Sequence, residues 1–337
     1  MANEYIKLKD MLEACYPVVY LTTYEYKRTN DKIYSVIKAL RDQNEIVNQY
    51  VWNCVDGLCR LDDNNTDFKH ITQKVEGYNG VQDEDVVSSS DALNYIRKLI
   101  KSKEDNKTEE RDVFIFEDLN NDIELPDIIF YLRKISERGR YTNTHVIIVS
   151  ASYRLPIELE KYIAVLNISL PDEQDLDLTL SKIEKIFNQN TLSIKDRHEI
   201  INAALGMTTQ EADLAFLLAA VKSGLGKDSV SIVSSEKEQI IRKSGILEYF
   251  STNGNLEDVG GLHLLKDWLN RRHLAYDKSA RDWGLREPKG LLLVGVPGCG
   301  KSLTAKCIAS TWKMPLLRLD LGKVFRFFCN LVEKVVS

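Results

Sequence analysis

The stretch that decides the fold is Gly295-Val296-Pro297-Gly298-Cys299-Gly300-Lys301-Ser302, which matches the phosphate-loop pattern G-x-x-x-x-G-K-[ST] at every fixed position. Residues 290–294 form an apolar run before it and predict a buried strand, and residues 303–309 after it predict a helix. A strand, a loop and a helix in that order are the context in which this pattern binds phosphate. The stretch therefore predicts an α/β fold built around a nucleotide.

The residue types of this loop point to a nucleoside triphosphate, ATP above all, with Mg²⁺. Glycines let backbone N–H groups turn toward phosphate oxygens, and the start of the following helix presents its positive end. Lys301 is predicted to reach the outer phosphates and Ser302 to ligate the metal, with Leu303 also at the nucleotide. Cys299 fills a variable position and is interpreted as a small residue that fits there rather than as a redox group. The loop alone leaves kinases, GTPases and AAA-type ATPases open.

Composition indicates an ordinary globular protein of about two domains, with 337 residues, 44% of them hydrophobic and 28% charged. No run approaches the roughly 18 apolar residues of a membrane span, so no membrane partner is expected. The six cysteines show no C-x-x-C pair and predict reduced thiols in a cytosolic or stromal protein. Acidic residues predominate before Ile241 and basic ones after it, but no basic stripe carries interleaved aromatic residues, so nucleic acid is not the expected partner.

The first half alternates strand and helix patterns, which predicts a mostly parallel sheet with helices on both faces. The predicted strands are 17–22, 46–54, 113–118 and 144–150, and the predicted helices are 31–40, a helix capped by Asp91, and 126–135. Residues 61–90 are polar and are predicted to be mainly surface loops. His145, at the entry of the last of these strands, is expected to take no part in ligand binding.

A phosphate loop is missing from this half. Residues 23–30 lie between its first strand and helix without a glycine, so the backbone cannot easily close around phosphate there. Glu117 and Asp118 end a later strand and could hold magnesium, but a structural role is favoured because no phosphate loop precedes them. From Asp172 the pattern is helical, with a capping box at 208–211. The half is predicted to be a degenerate copy of a nucleotide-binding module with its helical lid.

Two flexible stretches, 223–229 and 251–255, flank a predicted helix at 236–247 and mark the joint between the halves. Beyond it, Leu256-Glu257-Asp258-Val259-Gly260-Gly261-Leu262 precedes the phosphate loop by some tens of residues. With this acidic, apolar, Gly-Gly-Leu segment the chain resembles the AAA superfamily, and in 239–249 and 288–295 it is similar to the AAA ATPases of plastid genomes and cyanobacteria.

The resemblance implies a P-loop-less AAA-like domain with helical lid, followed by the N-terminal part of a second AAA domain. Its predicted divisions are 1–222 with the helical subdomain at 172–222, a linker at 223–255, and an ATP-binding domain at 256–337. It also implies that Asp258, Val259 and Gly260 lie near adenine, that the partners are other copies of the chain and an unknown client protein, and that the compartment is the cyanobacterial cytoplasm or the chloroplast stroma.

After Phe325 the sequence departs from the family, which continues with an Asp-Glu strand, a sensor and an arginine finger. A truncation or a shifted reading frame near Phe325 is therefore expected, and with it a hydrolysis-deficient chain whose residues 256–337 are only partly ordered. The competing interpretation is a non-catalytic interaction module built on residues 1–222.

Overall fold

The structure is a computed structural model that describes residues 2–43, 46–61, 68–77, 80–108, 110–187, 192–243, 247–250, 260–276, 280, 283–286, 288–312 and 316–319. The chain divides into two compact units, Met1–Ser229 and Val230–Ser337. None of the described helices is long and apolar enough to cross a membrane.

The first unit opens with an α/β domain. Its helices are α1 (Ala2–Glu13), α2 (Tyr26–Arg41), α3 (Ser89–Asn106) and α4 (Pro126–Arg138). Its strands are β1 (Val18–Thr22), β2 (Val47–Asn53), β3 (Gly57–Leu61), β4 (Phe68–His70), β5 (Thr72–Gly77), β6 (Gly80–Asp85), β7 (Arg111–Glu117), β8 (Thr144–Ser150) and β9 (Ala164–Asn167). Seven of these strands form one sheet in the order β4-β3-β2-β7-β8-β1-β9, in which β2, β7, β8, β1 and β9 run parallel.

Helices cover both faces of this sheet because successive side chains of its central strands alternate between two apolar clusters. In β7, Phe114 and Phe116 pack with side chains of α3 and α4, whereas Val113 and Ile115 pack with side chains of α1 and α2. Every residue of β8 is buried, as expected for a strand covered on both faces. The predicted parallel sheet with helices on both faces is confirmed.

A helical subdomain follows the sheet and comprises α5 (Glu173–Ile186), α6 (Ile194–Ala204) and α7 (Thr209–Ser223). The capping box at the start of α7 is formed as predicted. The Glu211 amide donates to Thr208 Oγ1 at 3.2 Å, and the Thr208 amide donates to Glu211 Oε2 at 2.8 Å. Two of the free amides at this helix end are therefore satisfied by the two side chains.

Three sequence-based expectations for this unit were wrong. Helix α2 begins at Tyr26, five residues before the predicted start, so it follows β1 almost directly. Ser88, not Asp91, caps α3, because Ser88 Oγ accepts the Asp91 amide at 3.0 Å. Residues 68–70, 72–77 and 80–85, predicted to be loops, form β4, β5 and β6.

In the second unit the described elements are few. Helix α8 (Ser229–Lys243) begins at the last residue of the first unit, seven residues before its predicted start, and is followed by β10 (Leu247–Phe250), α9 (His263–His273), α10 (Lys301–Thr311) and β11 (Leu316–Leu319). Strands β10 and β11 pair antiparallel. Helix α9 packs on α10 through the buried side chains of Leu269 and Cys307.

The strand predicted for residues 290–294 is not formed. These residues have no regular secondary structure, and Leu292 and Val294 are 86% and 84% exposed. An apolar run becomes a strand only when another strand pairs with its backbone. The strands described for this unit, β10 and β11, pair with each other and leave residues 290–294 without such a partner.

Candidate nucleotide site

The loop before α10 is shaped by glycines in conformations that other residues rarely adopt. Gly298 and Gly300 have φ angles of +85° and +84°. Gly300 is the N-cap of α10 and offers no side chain to bond the first amides of the helix. Those amides have no carbonyl partner within the helix either, and they lie at the positive end of its dipole. This helix start is therefore built to receive an anion.

Gly295 lies close to the Cys299 side chain. A Cβ atom at this position would lie 2.7 Å from Cys299 Sγ, closer than van der Waals contact allows. The Cys299 side chain thus lies against the backbone of Gly295. Sequence reasoning treated Cys299 only as a small residue, and the pattern G-x-x-x-x-G-K-[ST] holds no signal of this contact.

The Lys301 ammonium group lies against the loop that precedes it. Its Nζ atom donates to the carbonyl oxygens of Gly295 and Val296 at 2.8 and 2.7 Å and lies 3.6 Å from Cys299 Sγ. Among the described residues, no carboxylate forms an ion pair with it. Within the described part of the chain the ammonium thus bonds only neutral groups, which phosphate oxygens can replace with a stronger charge-assisted bond.

Ser302 and Leu303 form the first turn of α10 and are both exposed. Thr304, next along the helix, instead turns its hydroxyl back to the Gly300 carbonyl at 3.0 Å. The loop therefore offers one ammonium, a row of amides and the Ser302 hydroxyl at the same helix start. This donor set fits a triphosphate with Mg²⁺.

Of the residues expected near adenine, Asp258 and Val259 lie outside the described residues, and Gly260 is exposed. Gly261 and Leu262 follow with φ angles of +71° and +54°, and Leu262 is the N-cap of α9. Because α9 packs on α10, the glycine pair opens a helix that contacts the helix of the phosphate loop. The two segments thus belong to one local cluster.

In the first unit, the position that corresponds to the phosphate loop lies at the carboxyl ends of β1, β7 and β8. Open α/β sheets bind ligands at these strand ends. Side chains fill this position and bond one another. We call this group the N-terminal polar cluster, and it comprises Glu25, Tyr26, Arg28, Asn30, Glu117, Asp118, Asp175 and Thr209.

The two carboxylates at the end of β7 are held by side chains of α2. The Tyr26 hydroxyl donates to Asp118 Oδ1 and accepts the Ala151 amide at 2.9 Å, and Asn30 Nδ2 donates to Glu117 Oε1. Burial, with the hydrogen bond to Asp118, raises the pKa of Tyr26 to about 12. Glu117 and Asp118 therefore hold the end of the sheet to α2, in line with their predicted structural role.

Glu25 and Arg28 join the sheet to the helical subdomain. The buried Glu25 carboxylate forms an ion pair with Arg28 and accepts the amide of Thr209, the first residue of α7. Arg28 Nη2 lies 3.5 Å from Asp175 Oδ2 on α5 and donates to the Ser169 carbonyl at 3.1 Å. The protein's own carboxylate thus takes the place at a helix start that a bound anion could take. Sequence reasoning missed these contacts.

A parallel α/β domain with a helical subdomain, followed by a glycine loop at a helix start, defines an AAA-type architecture. The model for the SpoVK-like AAA ATPase, N-terminal domain matches residues 5–168, and that for the second domain of the same proteins matches residues 175–244. The model for the ATPase family associated with various cellular activities (AAA) matches residues 291–335. The chain belongs to the AAA ATPase superfamily.

Relatives similar over nearly the whole chain are called uncharacterized AAA domain-containing protein ycf46. The protein of Trieres chinensis is 32% identical over 94% of this chain and 58% of its own length, and that of Guillardia theta is 30% identical over 94% and 57%. The chain thus spans less than two thirds of the length of these relatives. A protein in the structure of the E. coli MS115-1 HORMA:CdnC:Trip13 complex aligns over 69% of this chain and 88% of its own length, with 10% identity and a TM-score of 0.45.

Proposed function

We propose that this chain binds ATP with Mg²⁺ at residues 295–303. The observation that carries the proposal is the Lys301 ammonium, which among the described residues bonds only two carbonyls of its own loop and a thiol. Phosphate oxygens are stronger acceptors for an ammonium than carbonyl oxygens, so bound ATP draws Lys301 onto its outer phosphates. Ser302 then supplies a magnesium ligand, and Asp258, Val259 and Gly260 lie near the adenine.

Nucleotide binding, rather than rapid hydrolysis, is the activity we assign to these residues. Hydrolysis needs a group that orients the attacking water and a charge that stabilises the transferred phosphoryl group. Residues 295–303 include no carboxylate that could orient the water, so we assign binding alone to them. ATP turnover coupled to the remodelling of a client protein, by a ring of several copies, is what we propose for the longer relatives.

The first unit, in this proposal, is a scaffold that binds no nucleotide. The support is the N-terminal polar cluster, in which Tyr26, Asn30 and Arg28 already bond the groups that would otherwise meet phosphate or metal. This feature also favours the second candidate function, a protein-interaction module on residues 1–222. We place the protein in the chloroplast stroma or the cyanobacterial cytoplasm, on the strength of its resemblance to AAA proteins of those genomes.

The test is the affinity for a fluorescent ATP analogue with Mg²⁺, measured on the wild type and on Lys301→Ala. The variant is expected to bind at least about tenfold more weakly, because a charge-assisted bond is lost. Lys289→Ala removes an exposed lysine six residues before the loop and should leave the affinity unchanged. A wild-type protein without affinity would refute nucleotide binding and leave the interaction module, and equal losses in both variants would refute the role assigned to Lys301.

A further inference from the structure

The outer side of α4 carries aromatic rings with cationic side chains placed over them. Phe130 is 43% exposed, and Arg133 Cζ and Lys134 Nζ lie 5.9 and 6.0 Å from the centre of its ring. The half-buried Tyr131 lies beside Phe130, with the two ring centres 5.8 Å apart. Arg97 reaches over from α3, and its Cζ atom lies 5.8 Å from the centre of the Tyr131 ring. These five side chains form one continuous cluster on two helices.

The same arrangement recurs just after the end of α4. Arg140 Cζ lies 5.5 Å from the centre of the Tyr141 ring, and Tyr141 is 77% exposed. About three helical turns separate Phe130 from Tyr141, which places the two exposed rings on the order of 16 Å apart along the helix. We call this group the basic–aromatic surface, and it comprises Arg97, Phe130, Tyr131, Arg133, Arg140 and Tyr141.

The three arginines of this surface have no carboxylate partner in the part of the chain that the structure describes. Arg97 Nη2 donates to the neutral Asn94 side chain at 2.9 Å, whereas Lys134 of the neighbouring turn pairs with Glu137 at 2.7 Å. Acidic residues predominate in this half of the chain, but at about 0.1 M salt charges more than about 10 Å away are largely screened. The local guanidinium groups therefore favour an anionic partner.

The aromatic rings indicate which anion fits. A carboxylate-rich peptide would pair with the arginines but gains little from exposed ring faces. Nucleobases stack on aromatic rings and on guanidinium planes, and the phosphates between them pair with arginine. In a duplex the faces of the bases are already stacked on one another, so only unpaired bases are free to stack on the protein. The rings also stand on the outer side of a helix, where a flat base can lie without a groove.

We propose that the basic–aromatic surface binds single-stranded nucleic acid. Unpaired bases stack on the open faces of Phe130 and Tyr141. The guanidinium groups of Arg97, Arg133 and Arg140 pair with phosphates of the same strand. Sequence reasoning did not expect nucleic acid, because this surface is assembled from α3, α4 and the turn that follows α4. The proposal does not depend on nucleotide binding at residues 295–303, which lie in the second unit.

The test is the anisotropy of a fluorescein-labelled oligothymidylate mixed with the whole chain at low salt and without Mg²⁺. Phe130→Ala should weaken binding at least about tenfold, because a stacked base is lost, and Tyr141→Ala should act in the same way. Tyr24→Ala is the matched control, because Tyr24 is 74% exposed but lies outside this surface. Lys301→Ala should bind as tightly as the wild type, and the circular dichroism spectrum of every variant should stay unchanged.

The contribution of charge is tested by repeating the titrations at several salt concentrations. Arg133→Gln should weaken binding severalfold and lower the slope of log affinity against log salt by about one. Lys222→Gln is the control, since Lys222 is exposed at the end of α7. Arg133→Lys should keep the wild-type slope, because it keeps the charge.

Four results would overturn the proposal. One is a wild-type protein that does not bind the oligothymidylate, and another is equally tight binding of a duplex of the same length. The third is a loss of affinity in Tyr24→Ala or Lys222→Gln as large as in Phe130→Ala or Arg133→Gln. The fourth is displacement of the oligothymidylate by an equal concentration of polyglutamate, which would make this a surface for acidic polypeptides.

Discussion

The N-terminal polar cluster and the loop at residues 295–302 both lie next to the start of a helix, but they satisfy the polar groups there in different ways. In the first, Glu25, Tyr26 and Arg28 bond the ends of the sheet and the helical subdomain. In the second, Gly298 and Gly300 contribute no side chains, and the amides at the helix start face no partner within the helix. Side chains at a helix start form hydrogen bonds and ion pairs within the protein, whereas glycines leave the backbone amides accessible to a ligand.

The largest effect is expected when a charge is removed from the N-terminal polar cluster. Arg28→Ala leaves Glu25 buried without its partner, and we expect a loss of about 3–5 kcal/mol in the free energy of unfolding of the first unit. Urea denaturation followed by circular dichroism measures it. ATP affinity at residues 295–303 should not change.

Arg138→Ala is the control for this variant, because the Arg138 side chain is 57% exposed and pairs with Glu104 at 3.0 Å. An exposed pair contributes about 1 kcal/mol or less. Equal destabilisation by the two substitutions would mean that the polar cluster does not hold the unit together.

A second prediction concerns pH. Because the first unit bonds its buried polar groups internally, its stability should depend on their protonation. His145 Nδ1 donates to the Tyr16 carbonyl at 2.8 Å, which leaves Nε2 to accept from Arg111 at 2.9 Å. Burial, with the charges of Arg111 and Lys103, lowers the pKa of His145 to about 4, although its bond to Tyr16 acts the other way. The native histidine is therefore neutral.

The unfolded histidine binds a proton near pH 6.5, whereas the native one does so only near pH 4. The free energy of unfolding therefore has its full value above pH 6.5. It falls by about 3 kcal/mol as the pH drops from 6.5 to about 4. Urea denaturation at several pH values should show a smaller fall for His145→Gln than for the wild type. The exposed His198 is the control, and His198→Gln should keep the wild-type fall; a wild-type fall in His145→Gln contradicts the prediction.

The smallest expected effect lies in the glycine loop. Gly295→Ala places a methyl group against Cys299 Sγ, and we expect ATP to bind about tenfold more weakly, the size of a modest overpacking strain. Cys299→Ala in the same protein should restore the affinity, because it removes the clash. If the double variant binds as weakly as Gly295→Ala, the contact between the two residues does not set the shape of the loop.

Much of the fold could be predicted because local sequence encodes it. Residues 144–150 are apolar through most of their length and form β8, an inner strand of the sheet, and Thr208 with Glu211 forms the predicted capping box. The absence of glycine from residues 23–30 predicted the missing phosphate loop. At the candidate site, the pattern at 295–302 predicted a helix directly after the loop, and α10 begins at Lys301.

The remaining features depend on contacts between residues far apart in the sequence, which local sequence patterns do not predict. Glu25 meets Thr209, and Arg28 meets Asp175, across long stretches of sequence with no periodicity that links them. Strands β5 and β6 pair through backbone hydrogen bonds and lack the apolar alternation that marks a strand. Residues 290–294 have a strand pattern but, among the described residues, no strand to pair with.

The strand order of the first unit has a consequence for synthesis. Strand β1 leaves the ribosome early, but Val18 pairs with Val146 of β8 and Val19 with Ala164 of β9. At cellular translation speeds β1 therefore waits on the order of ten seconds for its two neighbours. During that wait its apolar side chains need shelter from α1 and α2 or from a chaperone, so mutations that weaken those two helices should reduce the yield of nascent protein more than its final stability.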